Sequence, residues 1–142
     1  MKALVVYSTV YVGTVGVAEK IGQDILNSGY ESAIFNAVDK EIPDVAGFDL
    51  VVVGSSIIGG KWNKKALGFL KANEPQLAGK RIALFVSCGG AFDPSKREKA
   101  YANYLVKVAH TRAHIVVRYF FSVNIIMRAR SMFSIIPYEN IF

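Results

Sequence analysis

Hydroxyl side chains cluster near the start of the chain, where a short apolar run gives way to a helical pattern. Ser8 and Thr9 follow the apolar run at positions 4–7, and Thr14 precedes apolar residues that recur at helical spacing. Hydroxyl groups and the free N–H groups of a helix N-terminus together bind anions. No lysine or arginine lies between positions 2 and 20. Segment 8–14 is therefore predicted to hold a phosphate group with uncharged donors, and the alternative is an ordinary strand–helix turn capped by Thr14.

Two further loops of small and hydroxyl residues follow predicted strands, at 55–62 and 87–92. Ligands of doubly wound α/β proteins bind beyond the carboxyl ends of the strands, so these loops and segment 8–14 should lie at one edge of the sheet. Glycine lets the backbone approach a flat ring closely. The three loops together are therefore predicted to form the walls of one site, although each loop taken alone also fits a plain turn.

The rest of the chain alternates between apolar runs and helical patterns. Strands are predicted at 4–7, 33–35, 49–54, 81–87 and 115–123, and helices after residue 14, over 63–73 and over 94–110. We expect five strands with four helices between them in strict alternation, which favours a parallel sheet with right-handed crossovers. The predicted fold class is α/β, a single domain over 1–142 with a doubly wound five-stranded parallel sheet in the order 2-1-3-4-5 and a last helix that is short or missing.

The loop at 8–14 resembles the phosphate loop of the flavodoxin family: Tyr-Ser-Thr, two residues, a small pair and then Thr. It departs from that pattern at Val12, where the family usually has Gly, although Gly13 follows directly. The resemblance implies that flavin mononucleotide (FMN) is the cofactor. By the same likeness, the cofactor-binding residues are Ser8, Thr9, Val10, Tyr11, Val12, Gly13 and Thr14 in the first loop, Ser55, Ser56, Ile57, Ile58, Gly59, Gly60, Lys61 and Trp62 in the second, and Ser87, Cys88, Gly89, Gly90 and Phe92 in the third.

The second loop resembles a narrower flavodoxin-like subgroup that includes quinone-dependent protoporphyrinogen oxidases. The shared pattern is Val-Val-Gly-Ser-Ser-Ile, then Lys61-Trp62 and a Lys/Ala/Phe/Leu helix, and the likeness covers roughly residues 1–110. It implies an oxidoreductase that moves electrons between FMN and a quinone or small-molecule substrate. The alternatives are a non-catalytic flavodoxin electron carrier and a flavodoxin-fold scaffold that has lost FMN.

The same likeness gives roles to individual residues of the second loop. The backbone at 58–60 would contact the N5 edge of the flavin and change conformation on reduction. A separate hypothesis follows from charge: Lys61 near the reduced, anionic flavin would stabilise that form and raise its potential. Trp62 has two interpretations, as a ring stacked on the flavin or, more commonly for this position, as a core or rim residue.

Charge is unevenly distributed along the 142-residue chain, whose net charge is +6. Residues 1–60 contain three Lys/Arg and seven Asp/Glu, whereas residues 61–142 contain fourteen and four. A basic surface favours anionic partners. Flavodoxins that act as electron shuttles are typically acidic, whereas this chain is basic. We therefore expect its partner to be an acidic redox protein, or a small-molecule or quinone acceptor. No nucleic-acid-binding motif is present. The single cysteine permits no internal disulfide, which suits the cytoplasm.

Several other site classes are excluded by missing residues. The chain lacks a Cys-x5-Arg phosphatase motif, the Gly-Lys-Ser/Thr of a P-loop, a Gly-x-Gly-x-x-Gly fingerprint and a Gly-x-Ser-x-Gly elbow. The acids of a receiver domain are absent after the first and third strands. His110 and His114 have a metal-binding spacing on a helix but no clear third ligand, so no metal site is predicted.

The C-terminal segment is apolar and aromatic. A short helix is predicted over 124–133, with Pro137 ending it. The segment is expected to pack as a shortened last helix, to bury itself in a second copy of the chain, or to touch a membrane surface at the cytoplasmic face, as a quinone-using enzyme would need. A longer natural protein is a fourth alternative. Of these, a homodimer is favoured.

Overall fold

Strands in the computed structural model form one sheet with a flavodoxin-like order. The structure describes residues 1–10, 13–88, 94–106, 108, 117–123 and 134–137. The strands are β1 (Lys2–Ser8), β2 (Glu31–Asn36), β3 (Leu50–Ile58), β4 (Lys61–Trp62), β5 (Arg81–Ser87), β6 (Val117–Val123) and β7 (Ser134–Pro137). The path is β2-β1-β3-β5-β6-β7, with β4 paired to β3. The pairs from β2 through β6 are parallel, which confirms the predicted five-stranded order.

Helices follow β1, the β3–β4 hairpin and β5. They are α1 (Gly13–Asn27), α2 (Lys64–Ala72), α3 (Glu74–Leu77) and α4 (Pro94–Tyr101), and a π-helical turn, Ala102–Val106, continues α4. Helix α1 ends at Asn27, where Gly29 has a φ of 84° and the amides of Gly29 and Tyr30 donate to the carbonyls of Leu26 and Ile25. This is the hydrogen-bonding pattern of a Schellman C-cap.

One detail of the predicted alternation is wrong, and a second differs in helix geometry. The connection from β2 to β3 contains only the 3₁₀ turn Val45–Gly47, so no α-helix lies between those strands. The physical reason is local: Pro43 lacks an N–H and disfavours helical geometry at the residue before it, and Gly47 follows four residues later, so the segment has no uninterrupted run long enough for a stable α-helix. The helix predicted over 94–110 changes to π geometry after Tyr101, and residues 107, 109 and 110 lie outside the described part.

The described core has one cluster on each face of the sheet. On one face, Val17, Ala18 and Ile21 of α1 pack against Val52 and Phe85. On the other face, α2, α3 and the α4 segment cover a larger apolar cluster, whose fully buried members include Leu4, Val53, Leu70, Leu84 and Leu105. Burial on both faces explains why β1, β3 and β5 are nearly uninterrupted apolar runs.

Gly54 is required by the packing of Phe85. The two residues are register partners on adjacent strands, and an added Cβ at position 54 would overlap the Phe85 ring. The ring is fully buried. The aromatic side chain therefore fills the space above a glycine on the α1 face, two residues before the register pair of Ser56 and Ser87.

The end of the described chain differs from the expectation. Ser134–Pro137 forms a short antiparallel strand beside β6, with Pro137 opposite Tyr119. Pro137 therefore belongs to an edge strand, where a residue without an N–H is tolerated. The helix predicted over 124–133 lies outside the described residues, and no helix follows β6 within those that are described.

Candidate functional site

The first loop joins β1 to α1 at the edge of the sheet where β1, β3 and β5 end, here called the carboxyl edge. Ser8, the last residue of β1, is buried, and Thr14 in the first turn of α1 is fully buried. Val10 between them is exposed. Tyr11 and Val12 lie outside the described residues, so their predicted contacts with a cofactor stay predictions.

Three buried hydroxyl groups at the carboxyl edge have no hydrogen-bond partner in the described structure. They are Thr14 Oγ1, Ser56 Oγ and Ser87 Oγ. Ser56 and Ser87 are register partners on β3 and β5. Because side chains alternate along a strand, these serines lie on the same face as Gly54 and Phe85, the face that α1 covers. A buried hydroxyl without a partner costs about 1–3 kcal/mol, so three on one face and one edge indicate a site for a polar ligand.

Ser55 has a different role from its neighbour. Its Oγ donates to the carbonyl of Ser56 at 2.8 Å and accepts from the amide of Asn63 at 2.8 Å. Asn63 in turn caps α2, since its Oδ1 accepts from the Lys65 amide at 2.9 Å. The Ser55 hydroxyl is thus occupied in joining the end of β3 to the start of α2, and its predicted contact with a cofactor stays untested.

The second loop, which was predicted to form one wall of the site, folds as a tight β-hairpin. Ile58 pairs with Lys61 across the two-residue turn Gly59-Gly60, whose φ angles are 58° and 72°. Two positive φ angles in a two-residue turn are the signature of type I′ geometry, which glycine adopts without strain. The sequence contains this signal, a Gly-Gly pair between two short runs, Ile57-Ile58 and Lys61-Trp62, but the hairpin and β4 were not predicted from it.

Trp62 lies in the core on the face that α2 covers. The residue is 6% exposed, and its Nε1 donates to the carbonyl oxygen of Tyr104 in the π-helical turn at 2.6 Å. The half-buried Tyr104 also places its hydroxyl next to Gly60, at 3.8 Å from where a Cβ would stand. This position agrees with the core interpretation of Trp62 and leaves little of its ring available for stacking on a flavin.

The third loop is described only at its start. Ser87 ends β5, and Cys88 follows it, buried within the core on the α2 face. Gly89, Gly90 and Phe92 lie outside the described residues, so their predicted roles stay predictions. The same is true of His110 and His114. Among the residues that the structure describes, no group of three or more His, Cys, Asp or Glu side chains could hold a metal ion.

Comparison with known proteins identifies the class. The chain matches the Flavodoxin domain family over residues 4–129 and therefore belongs to that family. Its structure is similar to a flavodoxin from the domain Archaea, with a TM-score of 0.68, 21% sequence identity, and coverage of 87% of this chain and 83% of that one.

Two further solved structures share the fold. An NADH:FMN oxidoreductase in its apo form gives a TM-score of 0.64 at 18% identity, covering 87% of this chain and 76% of the other. A Fusobacterium nucleatum flavodoxin variant bound to FMN gives a TM-score of 0.55 at 17% identity, covering 84% and 69%. These matches agree with FMN as the expected cofactor. They do not support the narrower protoporphyrinogen oxidase subgroup.

None of the described helices is both long enough and apolar enough to span a bilayer.

Proposed function

We propose that this protein binds FMN at the carboxyl edge of its sheet and transfers electrons through it. The observation that supports this proposal is the set of buried, unpartnered hydroxyls of Thr14, Ser56 and Ser87 beside the N-terminus of α1. Buried polar groups in proteins normally have hydrogen-bond partners. A ligand bound at this edge would supply partners for these three hydroxyls.

The residues present fit the phosphate end of FMN. The first amides of α1 and the hydroxyl of Thr14 are donors at a helix N-terminus, where the dipole favours an anion. Ser56 and Ser87 add donors from neighbouring strands on the same face. When bound, the flavin ring supplies the redox chemistry, while the chain binds it, orients it and limits its contact with water.

Titration of the apoprotein with FMN, followed by quenching of flavin fluorescence, tests this assignment. Thr14→Val keeps the shape of the side chain but removes the hydroxyl, so we expect FMN affinity to fall about 10- to 100-fold, as for a lost hydrogen bond to a charged group. Ser56→Ala and Ser87→Ala should each weaken binding as well.

Ser32→Ala is the matched control. Its Oγ is also buried and unpartnered, but Ser32 lies near the start of β2, at the opposite edge of the sheet. We expect FMN affinity to be unchanged in this variant. An equal loss in Ser32→Ala and Thr14→Val would contradict the placement of the site. Absence of FMN binding by the wild-type protein would favour the scaffold alternative.

A second candidate function is catalysis with a quinone or another small-molecule substrate. The motif from Val52 to Trp62, which resembles that of quinone-dependent enzymes, favours it. The test is steady-state turnover of the FMN-loaded protein with a water-soluble quinone. Rapid, saturable turnover would indicate an enzyme. Reduction and reoxidation without a saturable substrate would indicate an electron carrier, the simpler proposal.

A further inference from the structure

Lysines are concentrated where the β3–β4 hairpin leads into α2. Lys61 lies in β4, and Lys64 and Lys65 form the first turn of α2, all three exposed. No acidic residue occurs between positions 61 and 73. This group of three lysines is called the hairpin lysines below.

The two helical members of this group stand where a helix favours the opposite charge. The N-terminus of a helix has a positive potential that favours acidic side chains, yet the first turn of α2 contains two lysines and no acid. Lys2 pairs with Glu31 and Lys20 with Asp24, whereas none of the hairpin lysines forms an ion pair with another described residue. Their positive charges therefore add to the helix dipole instead of offsetting it.

The hairpin lysines lie at the same edge as the proposed FMN site. The helix α2 begins at the carboxyl edge, because it follows directly from the hairpin that extends β3. The orphaned hydroxyls of Ser56 and Ser87 occupy this edge on the other face of the sheet. Ile58 is 44% exposed and is the register partner of Lys61, so an apolar side chain stands next to the lysines at the hairpin tip.

We propose that the hairpin lysines form a docking surface for an acidic electron-transfer protein that exchanges electrons with the flavin. The proposal rests on the proposed function, because it needs a redox group at this edge. Short-lived electron-transfer complexes bury little area, and charge complementarity accelerates their formation. Lys64 and Lys65 lower the stability of α2 slightly, because of their position at its N-terminus. Their charges also produce a positive potential beside the site, which attracts an acidic partner.

The test compares two charge-reversal variants with equal changes in net charge. Lys64→Glu/Lys65→Glu removes part of the docking surface. Lys71→Glu/Arg81→Glu is the control, since Lys71 is in the last turn of α2 and Arg81 begins β5, both exposed and away from the carboxyl edge. The first variant replaces lysines by residues that the helix dipole favours, so its melting temperature should equal or exceed that of the wild type.

Binding is first measured on the apoprotein, by the fluorescence anisotropy of a labelled poly-L-glutamate probe at low ionic strength. We expect affinity to fall by about tenfold or more in Lys64→Glu/Lys65→Glu and by less than about twofold in the control. An equal loss in both variants would show that only net charge matters and would overturn the proposal. No loss in the first variant would overturn it as well.

The second measurement uses the FMN-loaded, reduced protein and two inorganic oxidants. Oxidation by the ferricyanide anion should slow in Lys64→Glu/Lys65→Glu, while oxidation by hexaammineruthenium(III), a cation, should accelerate. Unchanged rates with both oxidants would overturn the proposal. Failure of the proposed function is separately visible, because the FMN titration reports it and the poly-L-glutamate measurement does not depend on FMN.

Discussion

Ser55 and Ser56, near the end of β3, are adjacent in sequence but differ in role: one is structural and the other is available for ligand binding. The hydroxyl of Ser55 makes two hydrogen bonds within the chain, whereas that of Ser56 makes none. The side chains of adjacent residues point to opposite faces of a sheet, so one meets the start of α2 and the other meets the α1 face. Only the second is available to a ligand.

The contrast between a hydroxyl with partners and one without predicts opposite stability effects for substitutions at Ser55 and Thr14 in the apoprotein. Thr14→Val replaces an unpartnered buried hydroxyl by a methyl group and should raise the free energy of unfolding by about 1 kcal/mol, roughly 3 °C in melting temperature. Ser55→Ala leaves the Asn63 amide without its acceptor and should lower it by about 1–3 kcal/mol. Thermal and urea unfolding measure both values, and a destabilised Thr14→Val would mean that the hydroxyl has a partner within the protein.

Gly54 and Phe85 predict a coupled pair. Gly54→Ala should destabilise the protein by about 1–3 kcal/mol or more, because the new methyl group overlaps a buried ring. In the Phe85→Leu background the same substitution should cost less, since the smaller side chain leaves room. A double-mutant cycle measured by urea unfolding gives the coupling, and strictly additive effects would contradict this packing.

At the scale of elements, the β3–β4 hairpin connects the proposed FMN site to the π-helical turn after α4. Its Gly59-Gly60 turn needs two positive φ angles, and Trp62 fixes its second strand through the hydrogen bond to the Tyr104 carbonyl. A π-helical turn shifts the backbone pairing of a helix, and such turns are frequent at functional sites. The Gly59-Gly60 turn therefore fixes the geometry of the hairpin at its tip, and the Trp62 hydrogen bond fixes the position of its second strand.

Removing the indole N–H tests this attachment. Trp62→Phe keeps an aromatic ring in the core but loses the donor to Tyr104, so hydrogen exchange at the amides of β4 should accelerate. Exchange in β1 is the internal control and should not change. Equal protection of β4 in both proteins would show that the hydrogen bond does not hold the hairpin.

The positive φ angles of the turn predict that alanine is destabilising at Gly59 and Gly60 but not at a glycine within a helix. Gly59→Ala and Gly60→Ala should each cost about 1–2 kcal/mol, because alanine is strained at positive φ. Gly68, in the middle of α2 with open space around it, is the matched control. Gly68→Ala should stabilise the protein by about 0.5–1 kcal/mol, and denaturant unfolding distinguishes the two signs.

At the scale of the whole molecule, charge is separated along the chain. Residues 61–142 contain fourteen of the seventeen Lys/Arg and only four of the eleven Asp/Glu. The N-terminal half supplies the uncharged first loop and α1, while the basic half supplies the hairpin, α2 and α4. Two of the neutral donors, Thr14 and Ser56, come from residues 1–60, whereas Ser87 and the hairpin lysines come from the basic part of the chain.

This separation predicts how the flavin's midpoint potential responds to charge. Lys61→Glu should lower it, because the reduced, anionic flavin loses a neighbouring cation and gains an anion. Charges several Å apart near water interact by about 1 kcal/mol, equivalent to roughly 40 mV for a one-electron step. Lys71→Glu, at the far end of α2, is the control and should change the potential less. Spectroelectrochemical titration measures both, and equal shifts would exclude a local effect of Lys61.

The order of the parallel strands, and the sheet edge at which the site is proposed, could be predicted from the sequence alone. The apolar runs of β1, β3 and β5 and the helical spacing after Thr14 determine a doubly wound sheet, because runs buried on both faces need helices on each side. Such a sheet places the ends of β1, β3 and β5 together, and hence the hydroxyls near residues 8, 56 and 87.

Only the tertiary structure decided which of those residues are available to a ligand. It assigned Ser55 to the start of α2 and Trp62 to the core, and it left Thr14, Ser56 and Ser87 without partners. It also replaced an expected helix between β2 and β3 by a 3₁₀ turn and made Ser134–Pro137 an edge strand. The physical reason is that a polar atom's partner, or a short segment's conformation, depends on residues distant in sequence, which local patterns do not specify.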